Sequence, residues 1–366
     1  MKMAAAVLDG VGQQLRIEEV DLAPPRHGEV LVKVAASGLC GSDLSVIDGK
    51  RTVAPFPVVL GHEAAGVVAQ TGPGVTRLTA GDPVVVSIVP SCGECPACVR
   101  GRRNYCQLAG RAMSNGSLLN GSLRLSRRGE PLHHFLMVSS FAQYAVVPES
   151  GAVAIDARMP LDRAALISCA VLTGVGAVRN TAQVQPGSRV AVFGCGGVGL
   201  NVIQGARLAG AARVVAIDLT EDKLELARRF GATDVIRAGE EDPARAIRRL
   251  LGGVDYAFEV AGREQAVQQA WSSLDIGGEV VVVGLMPQQA KVTLSGARFI
   301  NEQVIRGCFF GSAQLQHDVP ALVEDYLAGN LLLDELITRR VGLADLNGAF
   351  DALRAGSGAR SVLVLD

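Results

Sequence analysis

The chain has 366 residues, 49% of them hydrophobic, and 35 basic side chains stand against 36 acidic ones. This length predicts two domains, and a net charge of −1 without a long basic tract argues against nucleic acid or an anionic membrane as a partner. The N-terminal residues lack the layout of a secretory signal, so a cytoplasmic location is expected, and the eight cysteines then need an explanation other than disulfides.

Short β-branched runs separated by Gly, Pro and Asp characterise the first 150 residues. These runs cover residues 29–34, 58–60, 66–69, 84–87 and 144–147. This spacing predicts antiparallel β-structure.

From about residue 189, apolar strands alternate with helical patterns. Strands are predicted at 190–193, 213–217, 234–236, 254–260, 279–283 and 304–309, and a helix is predicted at 221–229. The alternation indicates βαβ units and a parallel sheet of about six strands. The last 50 or so residues, with a helix near 319–328 and a strand at 361–365, are too few to fold alone and are expected to return to the first domain.

A glycine-rich loop, Gly194-Cys195-Gly196-Gly197-Val198-Gly199, follows the first of these strands and opens a helix. Gly194 would allow a tight turn, Gly196 a close approach of the backbone to a pyrophosphate, and Gly199 close packing of helix on strand. Asp218 ends the next strand, where it can bind ribose hydroxyls and repel a 2′-phosphate. The pattern favours NAD(H) over NADP(H), with a glycine turn of another α/β fold as the alternative.

Four cysteines lie in one loop, at Cys92, Cys95, Cys98 and Cys106. Four thiolates on a short loop suit a closed tetrahedral Zn²⁺ site of the structural kind. An iron–sulfur cluster is the alternative.

A second group, formed by Cys40, His62 and Cys169, is scattered along the chain. Two thiolates and one imidazole are the ligands of a catalytic Zn²⁺ with an open fourth position. Considered singly, each has another explanation, as a buried small side chain or a loop histidine.

Taken together, these motifs are similar to those of the zinc-dependent alcohol dehydrogenases of the medium-chain dehydrogenase/reductase family. The resemblance is carried by Gly38-Leu39-Cys40-Gly41-Ser42-Asp43, Gly61-His62-Glu63-Ala64-Ala65-Gly66, the four-cysteine loop, Cys169 with Thr173-Gly174, and the glycine loop. Residues 123–149 look like the long loop of the animal class I and class III branch. The resemblance implies an α/β fold with a GroES-like β-rich catalytic domain (1–175), a Rossmann domain with a six-stranded parallel sheet (176–313), and a C-terminal segment (314–366) that returns to the catalytic domain. It places the active site in the cleft between the domains.

The resemblance also implies two Zn²⁺ per chain, a catalytic one on Cys40, His62 and Cys169 and a structural one on the other four cysteines. Ser42 would take the substrate proton, Asp43 would orient His62, and Glu63 would lie near the catalytic zinc. The implied NAD-binding residues are Thr173, Gly194, Gly196, Gly197, Val198, Gly199, Asp218, Lys223, Leu285 and Arg360, with Arg360 at the pyrophosphate.

Three positions depart from the family pattern. Gly41 replaces an Arg that contacts the pyrophosphate, and Ser45 replaces the outer His of the proton relay. Gly110 stands where class III enzymes carry a substrate-binding Arg, although Arg111 is adjacent. The last departure argues against a glutathione-adduct substrate.

The predicted function is the NAD-dependent interconversion of an alcohol and its aldehyde or ketone. The alternatives are a glutathione- or mycothiol-dependent formaldehyde dehydrogenase, a nicotinoprotein with tightly bound NAD, and a non-enzymatic NAD-binding scaffold.

A homodimer or homotetramer is expected, with strand 304–309 as a pairing edge. An apolar pocket favours alcohols with a hydrophobic body, and its candidate wall residues are Phe135, Phe141, Leu285, Met286, Phe309 and Phe310. Cys195 in the glycine loop and Cys308 in a buried strand need no metal, and His133 and His134 are expected to face solvent or pack locally.

Overall fold

The computed structural model describes residues 1–51, 54–356 and 358–365. It divides into two compact units, one made of Met1–Cys169 and the segment from Gln314 onward, the other of Ala170–Ala313. The domain limits predicted from the sequence remain a prediction, and the last residue of the predicted C-terminal segment, 366, lies outside the described residues.

Strands predominate in the first unit, whereas helices and strands largely alternate in the second. The strands are β1 (Lys2–Leu8), β2 (Arg16–Leu22), β3 (Glu29–Gly38), β4 (Val58–Val59), β5 (Glu63–Thr71), β6 (Pro83–Val86), β7 (Leu125–Arg127), β8 (Glu130–His134), β9 (Tyr144–Pro148), β10 (Ala152–Ala154), β11 (Arg189–Phe193), β12 (Arg213–Asp218), β13 (Asp234–Arg237), β14 (Val254–Glu259), β15 (Leu274–Val282), β16 (Val304–Gly307), β17 (Ile337–Val341) and β18 (Arg360–Val364). The α-helices are α1 (Gly41–Ile47), α2 (Pro96–Val99), α3 (Gln107–Asn115), α4 (Leu161–Leu166), α5 (Leu172–Gly176), α6 (Gly197–Leu208), α7 (Glu221–Arg229), α8 (Pro243–Leu251), α9 (Glu264–Ser273), α10 (Leu315–Leu327) and α11 (Leu346–Arg354).

The first unit is built on two β-sheets. Strands β1, β2, β7, β8 and β4 form a closed barrel, and a second sheet has the order β10-β6-β5-β3-β18-β17 with β9 also paired to β3. The predicted antiparallel character is confirmed in β3, which pairs antiparallel with β5 and β9. The last strand, β18, pairs antiparallel with β3, with Val362 opposite Gly38.

The second unit contains a parallel sheet in the order β13-β12-β11-β14-β15-β16. The predicted six-stranded parallel sheet is therefore confirmed. Its central strand β11 is a nearly continuous apolar run because helices cover both faces of such a sheet, and Val190 to Phe193 are all buried. The order reverses between β11 and β14, and ligands of open α/β sheets bind outside the carboxyl ends of the strands at such a point.

The helix predicted at 221–229 is confirmed as α7. Glu221 and Asp222 lie in its first turn and Arg228 and Arg229 in its last, where each charge interacts favourably with the helix dipole. Gly231 follows with φ +111°, a value that a residue with a side chain rarely adopts.

The strand predicted at 304–309 is shorter than expected. It ends at Gly307, so the prediction that Cys308 lies within a buried strand is wrong. Cys308 is half-buried directly after β16, and its N–H still donates to the carbonyl of Val282.

One helical run, Leu161–Ala182, is long and apolar enough to cross a membrane by length and composition, but 78% of its most hydrophobic window is buried inside the protein. A buried core helix meets the same criterion, so this run is weak support for a membrane span.

Candidate active site

A cavity of about 410 Å³ lies at the carboxyl end of the parallel sheet. Its walls include the loop glycines Gly194 and Gly196, the end of β12 at Asp218, and Lys223 from α7. Ala261 and Arg263 also line it. The predicted dinucleotide residues of this region therefore surround one concavity.

The glycine loop has the geometry that its sequence predicts. Gly194 has φ +106°, and a Cβ on Gly199 would lie 1.9 Å from the carbonyl oxygen of Gly194. A Cβ on Gly196 would meet nothing within 4 Å, so the backbone there is open to a ligand. No side chain caps the N-terminus of α6, which begins at Gly197. The free N–H groups and the helix dipole at this terminus suit a pyrophosphate.

Asp218 is fixed at the end of β12 by the backbone. Its Oδ2 accepts from the N–H of Cys195 at 2.8 Å, and its Oδ1 accepts from the N–H of Leu219 at 2.7 Å. Nζ of Lys223 lies 3.8 Å from Oδ1. Each carboxylate oxygen keeps a lone pair for a further donor, which suits a ribose diol.

The four loop cysteines form a compact cluster in the first unit. Sγ of Cys95 lies 3.5 Å from Sγ of Cys98, and Sγ of Cys106 lies 3.6 Å from Sγ of Cys92. The backbone N–H groups of Cys98 and Gln107 lower the pKa of Cys95 to about 6. Burial raises the pKa of Cys98 in the same cluster. The fit to a closed zinc site therefore rests on the geometry, since the four sulfur atoms all lie within 4.8 Å of one another.

The second metal group is also assembled within the first unit. Ligand atoms of Cys40, His62, Glu63 and Cys169 all lie within 4.8 Å of one another. Nε2 of His62 is buried and has no hydrogen-bond partner among the described residues. A buried ring nitrogen without a partner costs free energy, and a metal ion among these ligands would satisfy it. The donor set therefore fits a catalytic zinc.

Asp43 contacts two of these residues, His62 through its ring and Cys40 through its backbone. Its Oδ1 lies 3.3 Å from Nδ1 of His62 and accepts from the N–H of Gly61 at 3.0 Å. Its Oδ2 accepts from the N–H of Cys40 at 3.2 Å. A carboxylate on Nδ1 keeps the proton there and leaves Nε2 free for a metal.

Glu63 and Arg360 form a buried ion pair beside the same ligands. Burial is the largest influence on Glu63 and raises its pKa to about 7, against the lowering effect of Arg360. The side chain of Arg360 is 6% exposed. The structure thus places Arg360 beside Glu63 in the candidate metal group, and its predicted contact with the pyrophosphate remains a prediction.

Ser42 lies in the first turn of α1, two residues after Cys40, and its Oγ is 3.8 Å from Sγ of Cys40. At the position of the relay histidine, the hydroxyl of Ser45 donates to the carbonyl of Gly41 at 2.7 Å. A Cβ on Gly41 would meet nothing within 4 Å.

Among the predicted pocket residues, Phe135 is fully buried and its ring packs edge-on against His62, with the centroids 5.5 Å apart. Phe141 is also fully buried and packs against Phe350. Thr173 and Leu285 belong to the second unit, where Leu285 is 56% exposed.

His134 packs locally, as predicted, and is buried in the first unit. Its Nε2 accepts from the N–H of Arg124 at 3.1 Å. Burial, followed by the charge of Arg124, lowers its pKa to about 3. Arg124 in turn forms a buried two-pronged ion pair with Glu29.

Sequence reasoning missed Glu259, a fully buried carboxylate at the carboxyl end of β14. An acidic residue that ends an apolar strand just before Gly262 was the available signal.

Two family models match the chain. The alcohol dehydrogenase GroES-like domain matches residues 26–157, and the zinc-binding dehydrogenase domain matches residues 197–328. A curated S-(hydroxymethyl)glutathione dehydrogenase from Escherichia coli O1:K1 is 39% identical over 99% of this chain and 100% of its own length.

Solved structures are similar over the full chain as well. An alcohol dehydrogenase zinc-binding domain protein from Burkholderia ambifaria has a TM-score of 0.96 and 37% identity, covering 100% of this chain and 99% of that one. Benzyl alcohol dehydrogenase from Acinetobacter calcoaceticus has a TM-score of 0.95 and 32% identity, covering 100% of both chains.

Proposed function

Because this chain belongs to the zinc-dependent alcohol dehydrogenases of the medium-chain dehydrogenase/reductase family, we propose that it oxidises alcohols with an apolar or aromatic body. The reaction class is NAD-dependent oxidation and reduction at a CH–OH group. The substrate class is the proposal, and it rests on Phe135, whose buried ring lies edge-on to the metal-binding imidazole of His62.

The roles of individual residues are part of the proposal. Cys40, His62 and Cys169 hold the catalytic zinc, and Asp43 fixes the tautomer of His62. When bound, zinc supplies Lewis-acid polarisation of the substrate oxygen, and NAD supplies the hydride acceptor.

Ser42 accepts the hydroxyl proton of the substrate. Its Oγ lies 3.8 Å from Sγ of Cys40, beside the group of residues that would hold the zinc and its substrate. A positioned proton acceptor of this kind contributes about 10²- to 10⁴-fold to the rate. Water would take the proton onward, since the relay histidine is absent from this sequence and the hydroxyl of Ser45 donates to the carbonyl of Gly41.

A second candidate substrate is the adduct of formaldehyde with a thiol. The 39% identity to S-(hydroxymethyl)glutathione dehydrogenase favours it, whereas Gly110 provides no side chain for a substrate carboxylate. A panel of benzyl, short-chain and long-chain alcohols, with formaldehyde assayed in the presence and absence of glutathione, distinguishes the two. Formaldehyde oxidation that requires glutathione and exceeds every alcohol in kcat/KM would overturn the apolar assignment.

We also propose a homodimer or homotetramer that uses the β16 edge of the parallel sheet. β16 is the last strand in the order, and Val304 is 42% exposed. Phe299 and Ile300, just before it, are 52% and 88% exposed. An exposed strand edge beside apolar side chains is a typical pairing surface. Light scattering of the purified protein gives the molecular mass that tests this.

A cytoplasmic location is proposed because the eight cysteines are not joined in disulfides, as is usual in a reducing compartment. Free exchange of NAD is also proposed, and release of one nucleotide per chain only on heating would instead indicate a nicotinoprotein.

A further inference from the structure

Glu259 lies at the point where the strand order of the parallel sheet reverses. It is the last residue of β14 and pairs with Phe193 at the end of β11 and with Val282 at the end of β15. Its side chain is fully buried. A carboxylate in this position is costly to desolvate, so its contacts must offset a large penalty.

Those contacts are concentrated on one turn. Oε1 of Glu259 accepts from three successive backbone N–H groups, those of Ala261 at 2.8 Å, Gly262 at 2.6 Å and Arg263 at 3.2 Å. Oε2 has no hydrogen-bond partner among the described residues. Three bonds to a single oxygen hold the N–H groups of the turn in one orientation.

The turn held by Glu259 borders the dinucleotide cavity. Ala261 and Arg263 are part of its wall. The glycine loop packs closely against this turn, because a Cβ on Gly194 would lie 3.1 Å from the nitrogen of Ala261. On its far side, a Cβ on Gly262 would lie 2.5 Å from the carbonyl oxygen of Leu285.

We propose that Glu259 is a positioning residue for NAD. Through the turn 261–263 it sets the wall of the cavity and the surface on which Gly194, the first glycine of the loop, is packed. Glu259 itself does not touch the cofactor. This inference depends on NAD binding and is independent of the substrate assignment.

A matched control lies on the neighbouring strand. Glu279 is 9% exposed and pairs with Tyr256, three residues before Glu259 on β14 and therefore toward the opposite edge of the sheet. It forms an ion pair with Arg306. Glu259→Gln and Glu279→Gln thus make the same chemical change in two buried carboxylates, of which only one holds the cavity wall.

The experiment is calorimetric titration of NAD into the zinc-loaded full-length protein and both variants, with melting temperatures recorded without NAD. The amide of Glu259→Gln has one acceptor oxygen and no charge, so its bonds to the turn are weaker. We expect NAD affinity to fall about 10- to 100-fold, with kcat at saturating NAD preserved. Glu279→Gln is expected to bind NAD as the parent does, even where its melting temperature falls.

Wild-type NAD affinity in folded Glu259→Gln, or an equal loss in Glu279→Gln, would overturn the proposal. If Glu259→Gln does not fold, the NAD titration is carried out with Gly262→Ala instead. This substitution displaces the turn from Leu285 and leaves the carboxylate intact, since Gly262 has φ +69° and its Cβ would collide with a carbonyl. Unchanged NAD affinity in Gly262→Ala would then reject the role of the turn.

Discussion

Nδ1 of His62 lies 3.3 Å from Oδ1 of Asp43, and both side chains are buried. The same carboxylate accepts the N–H groups of Gly61 and Cys40. One acidic side chain therefore holds the imidazole of His62, the backbone of Gly61 just before it, and the backbone of Cys40.

Asp43→Asn is expected to weaken zinc binding at the catalytic site about 10- to 100-fold, as loss of a partner behind a metal-binding histidine usually does. Both oxygens of Asp43 accept hydrogen bonds, so the NH₂ group of asparagine must face a donor. Zinc content after dialysis against a chelator should fall from two per chain to one. The four-cysteine site is the internal control, and retention of both ions would contradict the assignment.

Ser42→Ala is expected to lower kcat about 10²- to 10⁴-fold through loss of the proton acceptor, while zinc content and NAD affinity stay unchanged. Ser45→Ala is the matched control because its hydroxyl donates to the carbonyl of Gly41. Its effect on kcat should be much smaller. Steady-state rates that fall equally in the two variants would argue against Ser42 as the acceptor.

Asp218→Asn is expected to reduce kcat/KM with NAD by about 10-fold, the effect of losing a hydrogen bond to a charged group. It should also shift the ratio of NAD to NADP activity toward NADP, since the carboxylate no longer repels a 2′-phosphate. Glu221→Gln, an exposed change at the start of α7, serves as the control. An unchanged ratio of NAD to NADP activity in Asp218→Asn would show that the ribose does not bind at Asp218.

The buried imidazole of His134 is expected to make the free energy of unfolding depend on pH. Its pKa is lowered from about 6.5 to about 3 by burial and by Arg124, so below pH 6.5 the unfolded chain binds a proton that the folded chain does not. The free energy of unfolding should therefore fall as pH decreases from 6.5 toward 3, by up to about 1.4 kcal/mol per pH unit from this group.

Urea unfolding of the wild type and of His134→Gln between pH 6.5 and 5 measures this slope. The variant should show a shallower fall, whereas the exposed control His317→Gln should match the wild type. Equal slopes in all three proteins would show that His134 is accessible to protons in the folded state.

Local patterns in the sequence predict much of the site because several ligands are fixed by short segments. The glycine loop, Asp218 and the four cysteines each belong to one strand end or one loop, so spacing alone locates them. Cys40, His62 and Cys169 come from separate elements, and only the resemblance to a family united them. The sequence shows Glu259 only as an acidic residue at the end of an apolar strand. Its role could not be inferred from that position, because its partners are backbone N–H groups of a turn whose conformation the sequence does not display.

Ion pairs between distant segments of the chain also cannot be predicted from local sequence patterns. Arg360 is predicted as a pyrophosphate contact, and its buried pairing with Glu63 depends on β18 lying beside β3. His134 is buried at the end of β8 and accepts from the N–H of Arg124, whose side chain forms the buried ion pair with Glu29. Glu63 and Arg360 are 297 residues apart in the sequence, and Glu29 and Arg124 are 95 apart. Local spacing in the sequence therefore predicts neither ion pair.

The most direct test of the central claim is alcohol-dependent formation of NADH by the purified, zinc-loaded protein, compared with Cys169→Ala and Cys195→Ala. Cys169 is a proposed ligand of the open metal site, whereas Cys195 is a buried thiol outside both metal groups. We predict NADH formation with apolar alcohols in the parent and in Cys195→Ala, and loss of both this activity and one zinc per chain in Cys169→Ala. Wild-type rates in Cys169→Ala would contradict the zinc mechanism.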